Sequence, residues 1–205
     1  MKRMRKLGLI RRLSLIAALL TSLLIVGCTN AYRSKTVIYN IDRVIRAQIP
    51  HLVKHGAEIR KKVVLNGREK VTSIKARDSL AWNEELAIFL ELNVINKPIY
   101  SGQYKVDDVA DKESNLRVTS YIATEDLPVK FLRIFYYKST MRMRKIEAQY
   151  NESNTLYASS RFLTMEFEDF SNTTLLTTYS VDGGQKMFLD DSVHYTIDVG
   201  VALKR

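Results

Sequence analysis

The sequence predicts an α+β fold in which two helices pack on a curved, mainly antiparallel β-sheet, preceded by the helix of a signal peptide. Three observations carry this. Two stretches of helical periodicity flank an Asn-Gly turn that itself lies between strand-like runs. From Tyr100 to the end the chain alternates in the manner of strands. Ahead of both, an uncharged apolar run follows a basic stretch. The boundaries fall at 1–27 for the signal peptide, 28–35 for the start of the mature chain and a short tether, and 36–205 for a single α+β domain. A domain of that size buries roughly 70% of its unfolded surface without disulfides.

The first helix is set by Ile41, Val44, Ile45, Ile49, Leu52 and Val53, with Asp42, Arg43, Arg46 and Lys54 on the other side. Asn40 suits its N-cap and Gly56 its C-terminal stop. Pro50 falls inside the pattern, so a kink or break is expected there. The runs Ile59–Leu65 and Arg68–Ala76 enclose Asn66-Gly67, a pair suited to the two positive φ angles of a type I′ turn. A second helix starts at Asp78 or Ser79 and carries Trp82, Leu86, Phe89 and Leu90 on one face until Asn96-Lys97-Pro98.

Strands follow at Asn115–Ala123, Val129–Tyr137, Met141–Tyr150, around Leu163–Phe167, at Leu175–Val181 and around Val193–Val201. The alternation of Met141–Tyr150 changes phase, which predicts a bulge near Arg144. One polar and one apolar face per strand suits a sheet that is wet on one side and covered by helices on the other.

Charge and cysteine narrow the function. The 205 residues carry a net charge of +10. Lys2, Arg3, Arg5, Lys6, Arg11 and Arg12 supply six of those charges within residues 1–27, which hold no acid. The remainder is ordinary, so nucleic-acid binding is set aside. A single cysteine excludes an intrachain disulfide framework and any thiolate-based metal cluster.

The basic N-terminus and the apolar run Leu13–Val26 form the two parts of a secretory signal. At 14 residues the run is shorter than the roughly 20 that a permanent span requires. It ends in Ile25-Val26-Gly27-Cys28, which resembles the lipobox of bacterial lipoproteins. The resemblance implies cleavage after Gly27 and diacylglyceryl on the Cys28 sulfur, with an acyl chain on its amine. Chemistry supports the residue types: a thiol makes a thioether readily, and glycine gives the peptidase access. In that family of diderm bacteria an Asp after the cysteine favours inner-membrane retention. Thr29 therefore implies the outer membrane, with the domain lipid-anchored at its periplasmic face. The tether Thr29–Lys35 reaches at most about 25 Å.

Two further resemblances concern the mature chain. Trp82–Tyr104 and Phe131–Tyr157, the latter with Asn154-Thr155-Leu156-Tyr157, are similar to envelope lipoproteins of Bacteroidetes-type bacteria, which brings no activity with it. Helices over an antiparallel sheet are also similar, in element order alone, to the outer-membrane lipoprotein carrier and receptor proteins.

Catalytic constellations are sparse. His51 and His55 stand i, i+4, but the metalloprotease glutamate is missing between them, and two surface histidines are the better account. His194 would need Asp190, Asp191 or Asp198 and a serine to form a triad, and no Gly-x-Ser-x-Gly elbow occurs. Glu84-Glu85, Asp107-Asp108 and Asp190-Asp191 are adjacent pairs, which a strand would point to opposite faces. Asp182-Gly183-Gly184 fits a hairpin turn or glycine bulge. The remaining signal is aromatic. Phe131, Phe135 and Tyr137 share one face of a strand, and Leu132, Ile134 and Tyr136 share the other. One set should pack under Trp82, Leu86, Phe89 and Leu90. The other meets a second layer or lines an open surface, making Phe131, Phe135, Tyr136 and Tyr137 the candidate ligand residues.

The expectation is a membrane-anchored, non-enzymatic envelope lipoprotein that binds a lipid, glycan or protein partner without metal or cofactor. The alternative is a periplasmic hydrolase using carboxylates that meet across strands.

Overall fold

Helix α1 (Ile41–Lys54) begins at Asn40, whose Oδ1 accepts the Arg43 N–H at 2.9 Å. In this computed structural model the described residues are 37–76, 78–170, 172–187 and 191–203. The signal peptide, Gly27, Cys28, the tether and Asp190 lie outside them. The break expected at Pro50 does not occur, and α1 runs on to Lys54. Pro50 and Arg46 are both exposed, so water can satisfy the carbonyl that the proline leaves unbonded. Gly56, at φ 53°, stops the helix. Its N–H reaches Val53 O and the Ala57 N–H reaches Leu52 O, each at 3.0 Å, as in a Schellman motif.

Strands β1 (Glu58–Leu65) and β2 (Arg68–Lys75) pair antiparallel about the two-residue tip Asn66-Gly67. Both tip residues have positive φ, 46° and 81°, as a type I′ turn requires. A Cβ on Gly67 would meet nothing within 4 Å, so the position restricts conformation and leaves space. Gly67→Val should therefore lower stability by about 1 kcal/mol or more, while Gly67→Asn, which tolerates positive φ, should cost less. Denaturant midpoints of the two variants check this.

The second helix differs from the expected single element. Helix α2 (Ser79–Glu85), capped by Asp78 through the Ala81 N–H, gives way at Leu86 to the short α3 (Ala87–Leu90). Two 3₁₀ segments follow, Glu91–Asn96 and Pro98–Tyr100. The apolar spacing explains the change. Leu86, Phe89, Leu92 and Ile95 recur every third residue and are all fully buried. Only a helix of three residues per turn keeps such a series on one face. At its end the Asn96 side chain accepts the Ile38 N–H at 2.8 Å and donates to Tyr39 O at 2.8 Å, tying this segment to the start of α1.

Seven strands complete the chain: β3 (Tyr104–Ala110), β4 (Leu116–Ala123), β5 (Val129–Tyr137), β6 (Met143–Ser153), β7 (Tyr157–Phe170), β8 (Thr173–Met187) and β9 (Val193–Ala202). They form an antiparallel meander, and β9 then pairs with β1, giving the order β2-β1-β9-β8-β7-β6-β5-β4-β3. The helical segment thus connects strands at opposite edges of one nine-stranded sheet. The bulge expected near Arg144 is present: Phe135 pairs with Lys145 and Tyr136 with Met143, leaving Arg144 between them. Asp182-Gly183-Gly184 is no turn. It lies inside β8, because a Cβ on Gly183 would come within 2.6 Å of the Tyr195 ring on β9.

The core lies between the helices and one face of the sheet. Ile41, Ile45, Leu52, Trp82 and Phe89 pack with Ile59, Leu132, Ile134, Ile146, Met165 and Val199. Two polar contacts fasten the layers. Buried Gln48 accepts the Leu176 N–H at 2.9 Å and donates to Thr174 O at 3.3 Å, beside a register shift between β7 and β8. That shift deprives strand groups of their usual partners, and the amide supplies them. The second contact is Glu85, which accepts from the Tyr179 hydroxyl and pairs with Lys61 at 2.5 Å.

Burial first, and the Glu85 carboxylate second, hold the Tyr179 phenol far above its ordinary range. Tyr39 is raised in the same way, by burial and then by its contact with the Tyr136 hydroxyl. Because these folded-state values exceed the unfolded one, the folded chain holds more protons at high pH. Stability should be intact below about pH 10 and fall above it, by up to about 1.4 kcal/mol per pH unit for each such tyrosine. Tyr179→Phe should flatten the alkaline slope of the unfolding free energy.

Candidate functional site

The alternation of β5 divides the aromatic candidates between the two faces. Leu132 and Ile134 are fully buried under the helices. Tyr136 follows them, with its hydroxyl 3.4 Å from that of Tyr39. Phe131 and Phe135 turn to the other face, where they are half-buried. Phe131, Phe135, Tyr136 and Tyr137 therefore do not form one surface.

Around β5 the outer face is covered by neighbouring side chains. The Phe131 ring meets Phe162 of β7 at 6.2 Å between centroids. The Arg133 guanidinium sits 4.5 Å from the Phe131 centroid, and Lys145 Nζ sits 4.8 Å from that of Phe135. The cations over these two aromatic faces cover the Phe131 and Phe135 rings. Lys145 also pairs with Glu147 at 2.6 Å, so the strip is both charged and ordered.

A larger opening lies at one end of the strands, beside the Asn66-Gly67 tip. The end of β6, the start of β7, the end of β8, the start of β9 and the 126–128 loop enclose a cavity of about 740 Å³. Its wall mixes polar and apolar surface in nearly equal parts: Asn151, Ser153, Ser159, Ser160, Gln185, Lys130, Lys186 and His194 supply hydrogen-bonding groups, and Tyr100, Leu127, Pro128 and Val193 supply apolar ones. Several of these groups are held in place. Ser160 Oγ donates to Asn151 Oδ1 at 3.0 Å and accepts from Gln149 Nε2 at 2.8 Å. Lys130 pairs with Asp126. The Asn66 N–H donates to His194 O and the His194 N–H donates to the Asn66 side-chain Oδ1, each at 3.0 Å, which fixes the hairpin tip against β9. Glu152 accepts from the Tyr157 hydroxyl, and this bond raises the phenol above its ordinary range.

Behind the cavity, Arg161 anchors the 3₁₀ segment to the sheet. Its Nη2 lies 2.7 Å from Glu91 Oε2, and its guanidinium sits 4.7 Å from the Tyr150 ring. The Arg161 side chain is only 12% exposed, so the pair holds the 3₁₀ segment against β7.

The acid and histidine candidates disperse. His194 Nε2 lies 3.0 Å from Asp182 Oδ1, a residue the sequence did not offer as its partner, and both side chains are exposed. Asp108 is engaged by Arg117 through two 2.7 Å hydrogen bonds. His55 stacks edge-on against Phe170 at 5.7 Å. No group of three His, Cys, Asp or Glu converges among the described residues.

Sequence reasoning did not find the cavity. Its lining comes from hydroxyls and amides scattered between residues 100 and 194, with no motif spacing. The one available signal was the pair Gly183-Gly184: Gly183, lacking a side chain, admits the Tyr195 ring, and Gly184 lines the cavity. Comparison with known protein families, curated proteins and solved structures finds no match to this chain.

Proposed function

We propose that this chain is a lipid-anchored lipoprotein of the cell envelope, held through Cys28 at the periplasmic face of the outer membrane, whose domain is a non-catalytic glycan receptor. The basic segment, the apolar run and Ile25-Val26-Gly27-Cys28 support the anchor, and Thr29 supports the membrane. The strand-end cavity, with hydrogen-bonding groups beside apolar surface, carries the choice of ligand. Its volume is that of a small-molecule site. Fixed hydroxyls and amides match the alternating donors and acceptors of a sugar, while Tyr100 and Pro128 offer surfaces for its C–H faces. The lipid reading has less behind it, because the helix-side core is filled by Trp82, Phe89, Leu92 and Ile95 and cations cap the outer rings.

A ligand that binds only the folded form raises the thermal midpoint. Soluble peptidoglycan fragments and lipopolysaccharide core oligosaccharides should each be titrated into the protein while unfolding is followed. A rise with one class is expected, and it should vanish in Asn151→Ala and Lys130→Ala variants whose own midpoints are near wild type. No rise with any glycan, or a rise that survives both substitutions, would remove the glycan reading. The hydrolase alternative has one observation behind it, the His194–Asp182 pair at the cavity rim. Mass spectrometry of the glycan after incubation separates the two: shortened products indicate turnover.

A further inference from the structure

The sheet ends in two unpaired edge strands, β2 and β3, and their chemistry differs. Strand β2 carries Arg68, Glu69, Lys70 and Lys75, a net positive edge of the kind that discourages pairing with its own copy. Strand β3 has Lys105, Asp107 and Asp108, and Arg117 neutralises the last of these. From Lys105 to Ala110 every residue is exposed, including Val106 at 57% and Val109 at 50%.

The backbone phase of β3 is fixed by its bonds to β4. Thr124 N–H donates to Gln103 O, and Asp111 N–H to Leu116 O, each at 2.9 Å. Odd-numbered residues of β3 therefore bond to β4, and the N–H and C=O groups of Tyr104, Val106 and Asp108 point away from the sheet. Those groups are the donors and acceptors available to a further strand.

We propose that β3 pairs antiparallel with β3 of a second copy of this chain, about a two-fold axis at Val106, so that one sheet runs through both copies. Only some registers bring the outward backbone groups together. Setting Val106 opposite the second copy's Tyr104 places Lys105 against Lys105. Setting it opposite Asp108 places Asp107 against Asp107. With Val106 opposite Val106, Tyr104 faces Asp108 and Lys105 faces Asp107 twice, in the close, non-hydrogen-bonded positions. Neither Lys105 nor Asp107 has an ion-pair partner among the described residues of its own chain. Strand β3 is thus self-complementary in charge and in backbone at one register, and the two-fold closes the assembly.

The test uses the full mature protein in detergent micelles, with the protein mass followed by sedimentation equilibrium over a concentration series. A dimer is expected. Asp107→Lys and Lys105→Asp should each weaken it by at least about tenfold, and the double variant Lys105→Asp with Asp107→Lys should restore it. Lys70→Glu on β2 should leave it unchanged. Under oxidation Val106→Cys should give a 106–106 cross-link. A monomer at every concentration, single reversals without effect, failure of the double variant to recover, or loss of the dimer in Lys70→Glu would each overturn the proposal. Circular dichroism melts of each variant confirm that folding is retained, since both β3 side chains are exposed.

Discussion

Truncating Trp82 to Ala should lower the unfolding free energy by about 3–5 kcal/mol. The indole is fully buried at the centre of the helix layer, among α1, the 3₁₀ segment and the sheet. Removing it opens a cavity that the neighbouring Leu86 and Phe89, both without solvent exposure, cannot fill without leaving their own sites. For a domain of this length the thermal midpoint should fall by roughly 2–4 °C per kcal/mol. Trp82→Phe should cost clearly less. Phenylalanine retains most of the volume, and the indole Nε1 has no hydrogen-bond partner to lose. Leu80, two residues away on the opposite face of the helix and 67% exposed, serves as the control, and Leu80→Ala should change stability by no more than about 0.5 kcal/mol. Circular dichroism must be the probe, because Trp82 is the sole tryptophan.

Cys28→Ala should abolish lipid attachment and leave the signal peptide on the chain. On the proposed lipobox reading the Cys28 sulfur accepts the diacylglyceryl group, and the peptidase that removes such signals cleaves before that cysteine. Each buried methylene of an acyl chain contributes about 0.8 kcal/mol of membrane affinity, so loss of two or more chains removes stable anchoring. Palmitate labelling and intact mass report the result. A substituted protein that still begins at residue 28 and remains with membranes would refute the lipobox reading.

Much of the fold was legible because short-range chemistry decided it. Asn40, Asp78, Gly56 and Asn66-Gly67 each act within a few residues, and each does what its residue type predicts. The phase change at Arg144 likewise appears as a bulge, since side-chain alternation records register directly. Tertiary demands were harder to see. The spacing of Trp82, Leu86, Phe89 and Leu90 predicts one helix as far as Asn96, whereas the three-residue repeat Leu86, Phe89, Leu92, Ile95 turns its second half into a 3₁₀ segment. Strand β3 passed without notice because YKVDDVA, exposed at an edge, has no buried face to impose a pattern. Gly183 was misplaced for a different reason. Its small size answers to Tyr195, a neighbour twelve residues on, and local sequence shows only two glycines.

The candidate site was less legible than the fold. Phe131 and Phe135 could be assigned to one strand face, but the cations above them come from Arg133 on the same strand and Lys145 on the next. The cavity depends on where four strand ends and a loop stop, which is a matter of length and register more than of residue type.

The pairing of β1 with β9 has a consequence for the order of folding. Successive hairpins can assemble β3 through β9 as each strand follows the last. The β1–β2 hairpin closes early on its own turn, but its neighbour in the sheet is the final strand, so Glu58 must wait for Ala202. Closing so long a loop is entropically slow and belongs late in the reaction. Until β9 arrives, the hairpin has one unsatisfied edge and α1 lacks part of the surface it covers. A chain shortened by its last ten residues should retain the meander and leave its N-terminal hairpin undocked, which hydrogen exchange would register as protection lost at Lys62 and Val64, whose amides face β9, and kept at Ile59 and Val63, whose amides face β2.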